Sequence, residues 1–207
     1  MNRAILELSE YQYDALRELI NIGVGKAANI MHMMVNKHIV LRVPKIFFVD
    51  VEHLKGEIDP VGDEMLSSVN LPFRGNLSGS ARLIFPTDSA AKIVSIFTDE
   101  NVDESELDAI RVGTLSEIGN IVLNSLIGTV SNFLDLDLQY SIPVYFEGDV
   151  NQLVDQKPDD PSKYILLART SFLIEELEIT GDFVLFLELG SMEKLLQLID
   201  TFKFKTE

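Results

Sequence analysis

The sequence predicts a mixed α/β (α+β) fold, a pseudo-two-fold single domain over residues 1–207 with two long helices packed on a β-sheet. Two observations predict it. The chain carries an internal repeat, about 8–98 and 107–200, and such a repeat indicates two copies of one supersecondary unit. Each copy shows a long apolar pattern of helical period followed by β-branched and aromatic runs, which predicts a helix-strand-strand-strand-helix order.

The repeat is visible in two pairs of aligned segments. LSEYQYDALRELINI (8–22) matches LDAIRVGTLSEIGNI (107–121) at an offset of 99 residues, and NLSGSARLIF (76–85) matches EITGDFVLFL (178–187) at an offset of 102. The change in offset implies three extra residues in the second half. We place them in the Pro- and Asp-rich stretch 147–164 and interpret that stretch as a loop. The most informative matches are Glu18 with Glu117, Asn21 with Asn120, and Pro44 with Pro143.

The long helices have start signals, and short helical patterns close each half. Ser9 with Gln12 predicts a capping box before the first helix, and Asp103 with Glu106 predicts one before the second. The equivalent segments SAAKIVSIF and SMEKLLQLI predict the closing helices.

The strands are predicted from residue type. HIVLRVPKIFFV (38–49) and LQYSIPVYFE (138–147) each contain a proline, which predicts strands at a sheet edge or at a bend. FRGNLSGSARLIF and FLIEELEITGDFVLFLEL are typical of hairpins, with Gly79 and Gly181 near their turns or bends. Strands and helices therefore alternate in both halves.

Each long helix carries a polar stripe opposite an apolar arc. At about 100° per residue, a Glu and an Asn three positions apart lie on one face. The first stripe holds Asp14, Glu18, Asn21 and Gly25, and the second holds Glu117, Asn120 and Asn124. The side chains predicted to face the core are Tyr13, Leu16, Ile20, Ala27, Met31 and Met34 in the first helix, and Leu115, Val122, Leu126, Val130 and Phe133 in the second.

Both Glu–Asn pairs are therefore predicted to be exposed. A chance Glu-x-x-Asn on a helix surface is common, but asparagine is a poor residue for the middle of a helix because its amide competes for backbone hydrogen bonds. Two copies at equivalent positions, beside small residues such as Gly23 and Gly119, call for a functional reason.

Composition excludes several classes of function. The formal net charge of −16 leaves no basic face, so we expect neither a nucleic-acid partner nor a membrane surface. The absence of cysteine excludes disulfides and thiol chemistry. His32, His38 and His53 are scattered without metal-ligand spacing, so we expect no metal site. No signal peptide or membrane-spanning run is visible, and we expect a cytoplasmic protein.

The two stripes also carry a family resemblance. The pattern Asp/Ser-x-x-x-Glu-x-x-Asn, then 22 residues and Pro, resembles the CheC/CheX/FliY family of chemotaxis phosphatases, and the doubled motif is most like its CheC members. It appears here as DALRELIN through Pro44 and as GTLSEIGN through Pro143. The second copy departs from the pattern, since Gly113 stands where the first has Asp14.

The resemblance implies a hydrolase for the aspartyl phosphate of a phosphorylated CheY-like response regulator. Asn21 and Asn120 would position the attacking water, and Glu18 and Glu117 would pair with the regulator's lysine. Asp14, Gly25 and Asn124 would support docking. The family needs no cofactor of its own, because the divalent metal belongs to the regulator, and it implies CheD, a receptor deamidase, as a second partner.

Two alternatives from other classes stay open. The same fold used as an adaptor would bind a response regulator or a CheD-like deamidase without catalysis. The presence of both Glu–Asn pairs favours catalysis over this reading. A metal-dependent or acid–base hydrolase built on Asp14 and Glu18 is less favoured, because exposed carboxylates without a cleft are poorly suited to that chemistry.

Overall fold

The computed structural model of the chain describes residues 8–58, 65–98, 107–155, 164–174, 177–188 and 190–202. The helices in these ranges are α1 (Glu10–Val35), α2 (Val51–Ile58), α3 (Thr87–Phe97), α4 (Leu107–Phe133), α5 (Val150–Asp155) and α6 (Ser191–Thr201). The strands are β1 (Ile39–Val49), β2 (Leu66–Gly75), β3 (Gly79–Pro86), β4 (Leu138–Tyr140), β5 (Val144–Gly148), β6 (Tyr164–Ile174) and β7 (Leu177–Leu187). The mixed α/β class is confirmed.

The strands form one antiparallel sheet with internal symmetry. Its order is β1-β6-β7-β3-β2-β4, and β5 also pairs with β2. In the central pair, β3 and β7, Arg82 lies directly opposite Val184. These two residues are separated by 102 positions, which is the offset of the repeat in this part of the chain. A pseudo-two-fold axis therefore passes between them, as the repeat predicts.

The two halves exchange strands. β1 of the first half pairs with β6 of the second, while β4 and β5 of the second half pair with β2 of the first. Each hairpin is thus completed by a strand from the other half, so the halves share one sheet. The assignment of residues 1–207 to a single domain stays a prediction, because parts of that range lie outside the described residues.

The core lies on both faces of the sheet, and the larger part is on the face that carries α1, α3, α4 and α6. Successive side chains of a strand point to opposite faces. In β3, Leu83 and Phe85 join the larger cluster while Ile84 joins the smaller one. The smaller cluster, under α2 and α5, consists of Leu54, Leu66, Ile84, Val150, Leu153, Ile165, Leu167 and Val184.

Helices α2 and α5 correct the predicted order of elements. Each begins after an aspartate: Asp50 Oδ1 accepts the His53 N–H, and Asp149 Oδ1 accepts the Gln152 N–H, both at 2.9 Å. The interpretation of 147–164 as a plain loop is therefore wrong at Val150–Asp155, and each half has one more helix than predicted. Helices this short show too little periodicity to be found in a sequence, and tertiary packing stabilises them.

The proline and glycine predictions have mixed outcomes. Pro44 lies at an irregularity of the edge strand β1, and Pro143 separates β4 from β5 at the other edge, so the prediction of edges or bends is confirmed. Gly79 begins β3 beside the first turn, as predicted. Gly181 is not near a turn: it pairs with Thr170 inside β7, where an added Cβ would lie 2.6 Å from the ring of Phe85.

Candidate functional site

Helix α1 presents the first polar stripe between two well-defined ends. Ser9 Oγ accepts the Gln12 N–H at 3.2 Å, and Gln12 Oε1 accepts the Ser9 N–H at 3.0 Å, which confirms the capping box. The helix stops at Asn36, whose φ of 52° is left-handed. Its buried side holds Ala15, Leu16, Leu19, Ile20, Gly23, Val24, Ala27, Ala28 and Met31.

The stripe residues lie on the opposite side of α1. Asp14, Glu18 and Gly25 are exposed, and Asn21 is half-buried at the border of the stripe. Asp14 reaches Arg17 only at 4.0 Å, and both side chains are more than half exposed, so this ion pair contributes little. The carboxylate and the amide of the first pair are therefore accessible to a partner.

Helix α4 presents the second stripe in the same manner. Glu117 is exposed, and Asn120 and Asn124 are half-buried. The predicted capping pair Asp103 and Glu106 lies outside the described residues. The prediction that both Glu–Asn pairs reach the surface is supported by these exposures, with each asparagine less exposed than its glutamate.

Most side chains that the pattern assigns to the core are buried. Leu16, Ile20, Ala27 and Met31 are buried in α1, as are Leu115, Val122 and Leu126 in α4. Tyr13, Val130 and Phe133 are partly buried against the core. Met34 is the error, since half of its side chain is exposed. It lies in the last turn of α1.

The two glutamates are free to pair with an external cation. Among the residues that the structure describes, neither Glu18 nor Glu117 makes an ion pair or a side-chain hydrogen bond. An incoming lysine would therefore meet a carboxylate that has no competing internal partner.

The two asparagines differ in their surroundings. Asn124 Nδ2 donates to Asn120 Oδ1 at 2.5 Å and to the Asn120 carbonyl oxygen at 2.9 Å. The position equivalent to Asn124 in α1 is Gly25, where an added Cβ would meet no atom within 4 Å. The second asparagine is held by its neighbour, and the first has no such neighbour.

Two glycines next to the asparagines have a packing role that the sequence did not reveal. A Cβ on Gly23 would lie 2.8 Å from the Cα of Leu126, where α1 crosses α4. A Cβ on Gly119 would lie 2.5 Å from the Cβ of Val69 on β2. Close approach of α1 to α4 explains Gly23, and close approach of α4 to β2 explains Gly119, whereas Gly25 and Gly113 have open space around them.

Nothing in the described residues resembles a metal centre. No group of three or more His, Cys, Asp or Glu residues within that part of the chain is arranged to hold a metal ion. His32 Nδ1 contacts the Lys37 carbonyl at 2.7 Å, and His53 Nδ1 contacts Asp50 at 2.7 Å. A cavity between α1, α4, α6 and the sheet is lined by apolar side chains, including Leu16, Leu126 and Phe183.

The arrangement supports chemistry at an open helix surface. Each stripe offers one carboxylate to a cation and one carboxamide that both donates and accepts hydrogen bonds. Across the described helices, none combines the length and apolarity that crossing a membrane requires; a cytoplasmic location stays a prediction.

Comparison with known proteins identifies relatives of this chain. A family model described as the chemotaxis phosphatase CheX matches residues 67–161. The CheY-P phosphatase CheC of Bacillus subtilis is 29% identical over 141 residues, which is 66% of this chain and 66% of that one. The flagellar motor switch phosphatase FliY of the same organism is 23% identical over 177 residues. Those residues make up 84% of this chain but only 45% of that FliY.

Solved structures share the fold. The crystal structure of Thermotoga maritima FliY superposes with a TM-score of 0.75 at 20% identity, covering 96% of this chain and all of that one. A CheX–CheY–BeF3–Mg²⁺ complex from Borrelia burgdorferi gives a TM-score of 0.53 at 16% identity, covering 83% of this chain and 99% of the matched one. The repeat, the doubled Glu–Asn stripe and these matches agree, and the chain is similar to the CheC, CheX and FliY chemotaxis phosphatases.

Proposed function

We propose that this protein hydrolyses the aspartyl phosphate of a CheY-like response regulator at its two polar stripes. The observation that carries the proposal is the repeated Glu–Asn pair, with an exposed glutamate and a half-buried asparagine on each of two equivalent helices of a symmetric fold. An adaptor would need a docking surface but would not need a hydrogen-bonding amide at the same place in both halves.

The reaction requires the enzyme mainly to position the attacking water relative to the phosphorus. An aspartyl phosphate is a labile mixed anhydride. Water attacks phosphorus, the new P–O bond forms, the bond to the aspartate oxygen breaks, and the carboxylate leaves with its electron pair while the water's protons pass to solvent or phosphate. Holding the water in line with the breaking P–O bond greatly accelerates phosphoryl transfer. Asn21 or Asn120 can orient that water without placing a negative charge beside the phosphoryl oxygens.

The glutamates would dock the regulator. In this proposal Glu18 and Glu117 pair with the lysine of the regulator's phosphorylation site, and this contact sets the distance between the asparagine and the phosphorus. Exposure and the absence of an internal partner in the described residues support that role. The divalent metal belongs to the regulator, so the phosphatase itself needs no cofactor.

The comparisons support the substrate class. The matched CheC is named a CheY-P phosphatase, and one structural neighbour is a CheX bound to CheY with BeF3 and Mg²⁺. CheD as a further partner also stays a proposal, and no described surface of this chain identifies where it would bind.

The test is the decay of a phosphorylated CheY-like regulator with and without this protein. We expect Asn21→Ala combined with Asn120→Ala to reduce decay to the regulator's own rate, while regulator binding and the unfolding transition are retained. Asn151→Ala is the matched control, because Asn151 is an exposed asparagine on α5, on the other face of the sheet. Full activity in the double variant would remove both asparagines from the catalytic step, whereas no acceleration by the unmodified protein would favour the adaptor function.

A further inference from the structure

We propose that Asn124 is a positioning residue that orients the carboxamide of Asn120, so that the second site is preorganised and the first is not. This inference rests on the proposed function, in which that carboxamide orients the attacking water. It predicts a difference in turnover between two sites that share the same Glu–Asn pair.

The contact that carries the inference is a short side-chain hydrogen bond. Asn124 lies one helical turn after Asn120, and its Nδ2 donates to Asn120 Oδ1 at 2.5 Å. The same Nδ2 also donates to the Asn120 carbonyl oxygen at 2.9 Å. Both asparagines are half-buried, so neighbouring atoms limit their freedom further.

This contact determines which way the carboxamide faces. Because Oδ1 of Asn120 is held toward Asn124, its Nδ2 is on the side away from Asn124. An amide oxygen has two lone pairs, and Asn124 uses one of them. Asn120 therefore keeps two N–H donors and one acceptor position, enough to hold a water in a defined orientation.

The first site lacks this hydrogen bond. Gly25 occupies the position of Asn124, and a Cβ there would meet no atom within 4 Å. Within the described part of the chain, the Asn21 carboxamide makes no hydrogen bond to another side chain. Asn21 must therefore lose rotational freedom when it binds the water, whereas Asn120 has already lost it.

The consequence should appear in kcat and not in KM. Docking depends on glutamates that are equivalent in the two halves, and Asn124 acts only through Asn120. Loss of one orienting hydrogen bond is expected to lower kcat about fivefold. A purely structural role of Asn124 would lower the melting temperature instead.

The experiment uses single-site enzymes acting on a phosphorylated CheY-like regulator. Asn21→Ala leaves the second site and Asn120→Ala leaves the first. We expect Asn124→Ala to lower kcat about fivefold in the Asn21→Ala background, with KM and melting temperature unchanged. Asn124→Leu, which keeps the side chain's size but removes the donor, should do the same. Asn132→Ala, an exposed asparagine near the end of α4, is the control.

The reciprocal change tests the first site. Gly25→Asn in the Asn120→Ala background should raise kcat, because it gives Asn21 the neighbour that Asn120 has. The inference is overturned if Asn124→Ala leaves kcat of the Asn21→Ala enzyme unchanged, and the proposed function then still stands on the loss caused by Asn120→Ala. Full activity of the enzyme lacking both Asn21 and Asn120 side chains overturns both.

Discussion

An asparagine in the middle of a helix has a cost unless its side chain is used. Asn21 and Asn120 occupy equivalent mid-helix positions where asparagine is unfavourable, and each lies three residues after an exposed glutamate. At the residue scale the two halves differ, because the Asn124 side chain donates a hydrogen bond to Asn120, whereas Gly25 has no side chain that could do the same for Asn21. Similar pairs of residues thus sit in unlike surroundings, and single substitutions can separate their roles.

Charge reversal tests the glutamates. Glu18→Lys and Glu117→Lys should each weaken binding of the phosphorylated regulator to that site, by about threefold to tenfold, because attraction to a lysine becomes repulsion. Titration calorimetry of the two single variants and of the double variant measures the affinity and the number of sites that still bind. Glu193→Lys is the control, since Glu193 is an exposed glutamate on a different helix, α6. Unchanged affinity for both stripe variants would remove the glutamates from the interface.

The half-buried carboxylate of Asp182 gives a pH prediction. Burial raises the pKa of Asp182 above 3.8, although Arg169 Nε donates to its Oδ1 at 3.0 Å and acts in the opposite direction. The folded protein therefore holds this proton more tightly than the unfolded chain. Between 3.8 and the raised pKa, the contribution of Asp182 to stability increases as pH falls.

The measurement compares wild type with Asp182→Asn. The free energy of unfolding of wild type minus that of the variant should grow as pH falls through this window. The variant has no carboxyl at this position, so titration of groups that do not interact with Asp182 cancels in the difference. A difference that is constant or that shrinks on acidification contradicts a raised pKa.

At the element scale, the two long helices make different packing contacts. Helix α4 lies directly on β2 at its motif, where Gly119 meets Val69, whereas the equivalent position in α1 is the buried Ile20. Arg111 in the first turns of α4 donates to Glu147 of β5 at 2.5 Å, while Gln12 in α1 donates to Asp200 of α6 at 3.0 Å. Symmetric helices are thus anchored by unrelated contacts.

Two glycine substitutions in α4 should have opposite effects. Gly119→Ala places a methyl group 2.5 Å from Val69 Cβ, so α4 must shift, and we expect a loss of about 1–3 kcal/mol in unfolding free energy. Gly113→Ala meets no atom within 4 Å, and we expect a gain of about 0.5–1 kcal/mol from helix propensity. Chemical denaturation measures both. Equal changes in the free energy of unfolding would show that the close approach of α4 to β2 does not affect stability.

At the scale of the whole molecule, exchange of strands makes the halves interdependent. Among the described strands, β1 pairs with β6 alone, and β4 and β5 pair with β2. In neither half does the first strand pair with the hairpin of the same half. Each hairpin alone would therefore leave the backbone groups of its edge strand unpaired, and an unpaired edge favours association with other chains.

Fragment complementation tests this interdependence. Residues 1–102 and 103–207, produced separately, should each lack a cooperative unfolding transition as monomers. When mixed, they should form a 1:1 complex that recovers the far-ultraviolet circular dichroism of the intact chain. Sedimentation measures the stoichiometry, and the intact chain is the control. A fragment that folds cooperatively as a monomer would contradict the proposed dependence.

The sequence by itself determined what depends on local pattern and residue chemistry. The repeat, the long helices, the Ser9–Gln12 capping box, the prolines at sheet edges and the exposed Glu–Asn stripes all follow from periodicity and backbone preference within one segment. Helical period alone assigned most of the core side of α1 and α4. It failed at Met34, because burial near a helix end depends on what lies alongside it.

Only the tertiary structure decided which segments meet. Strand exchange depends on how both halves bury their apolar faces at once, and no local pattern contains that information. The same reason explains the short helices α2 and α5, which are stabilised by packing on the sheet, and the role of Gly119, which depends on the distance from α4 to Val69. The orientation of Asn120 also belongs here, because a hydrogen bond between two side chains depends on their rotamers in the folded chain.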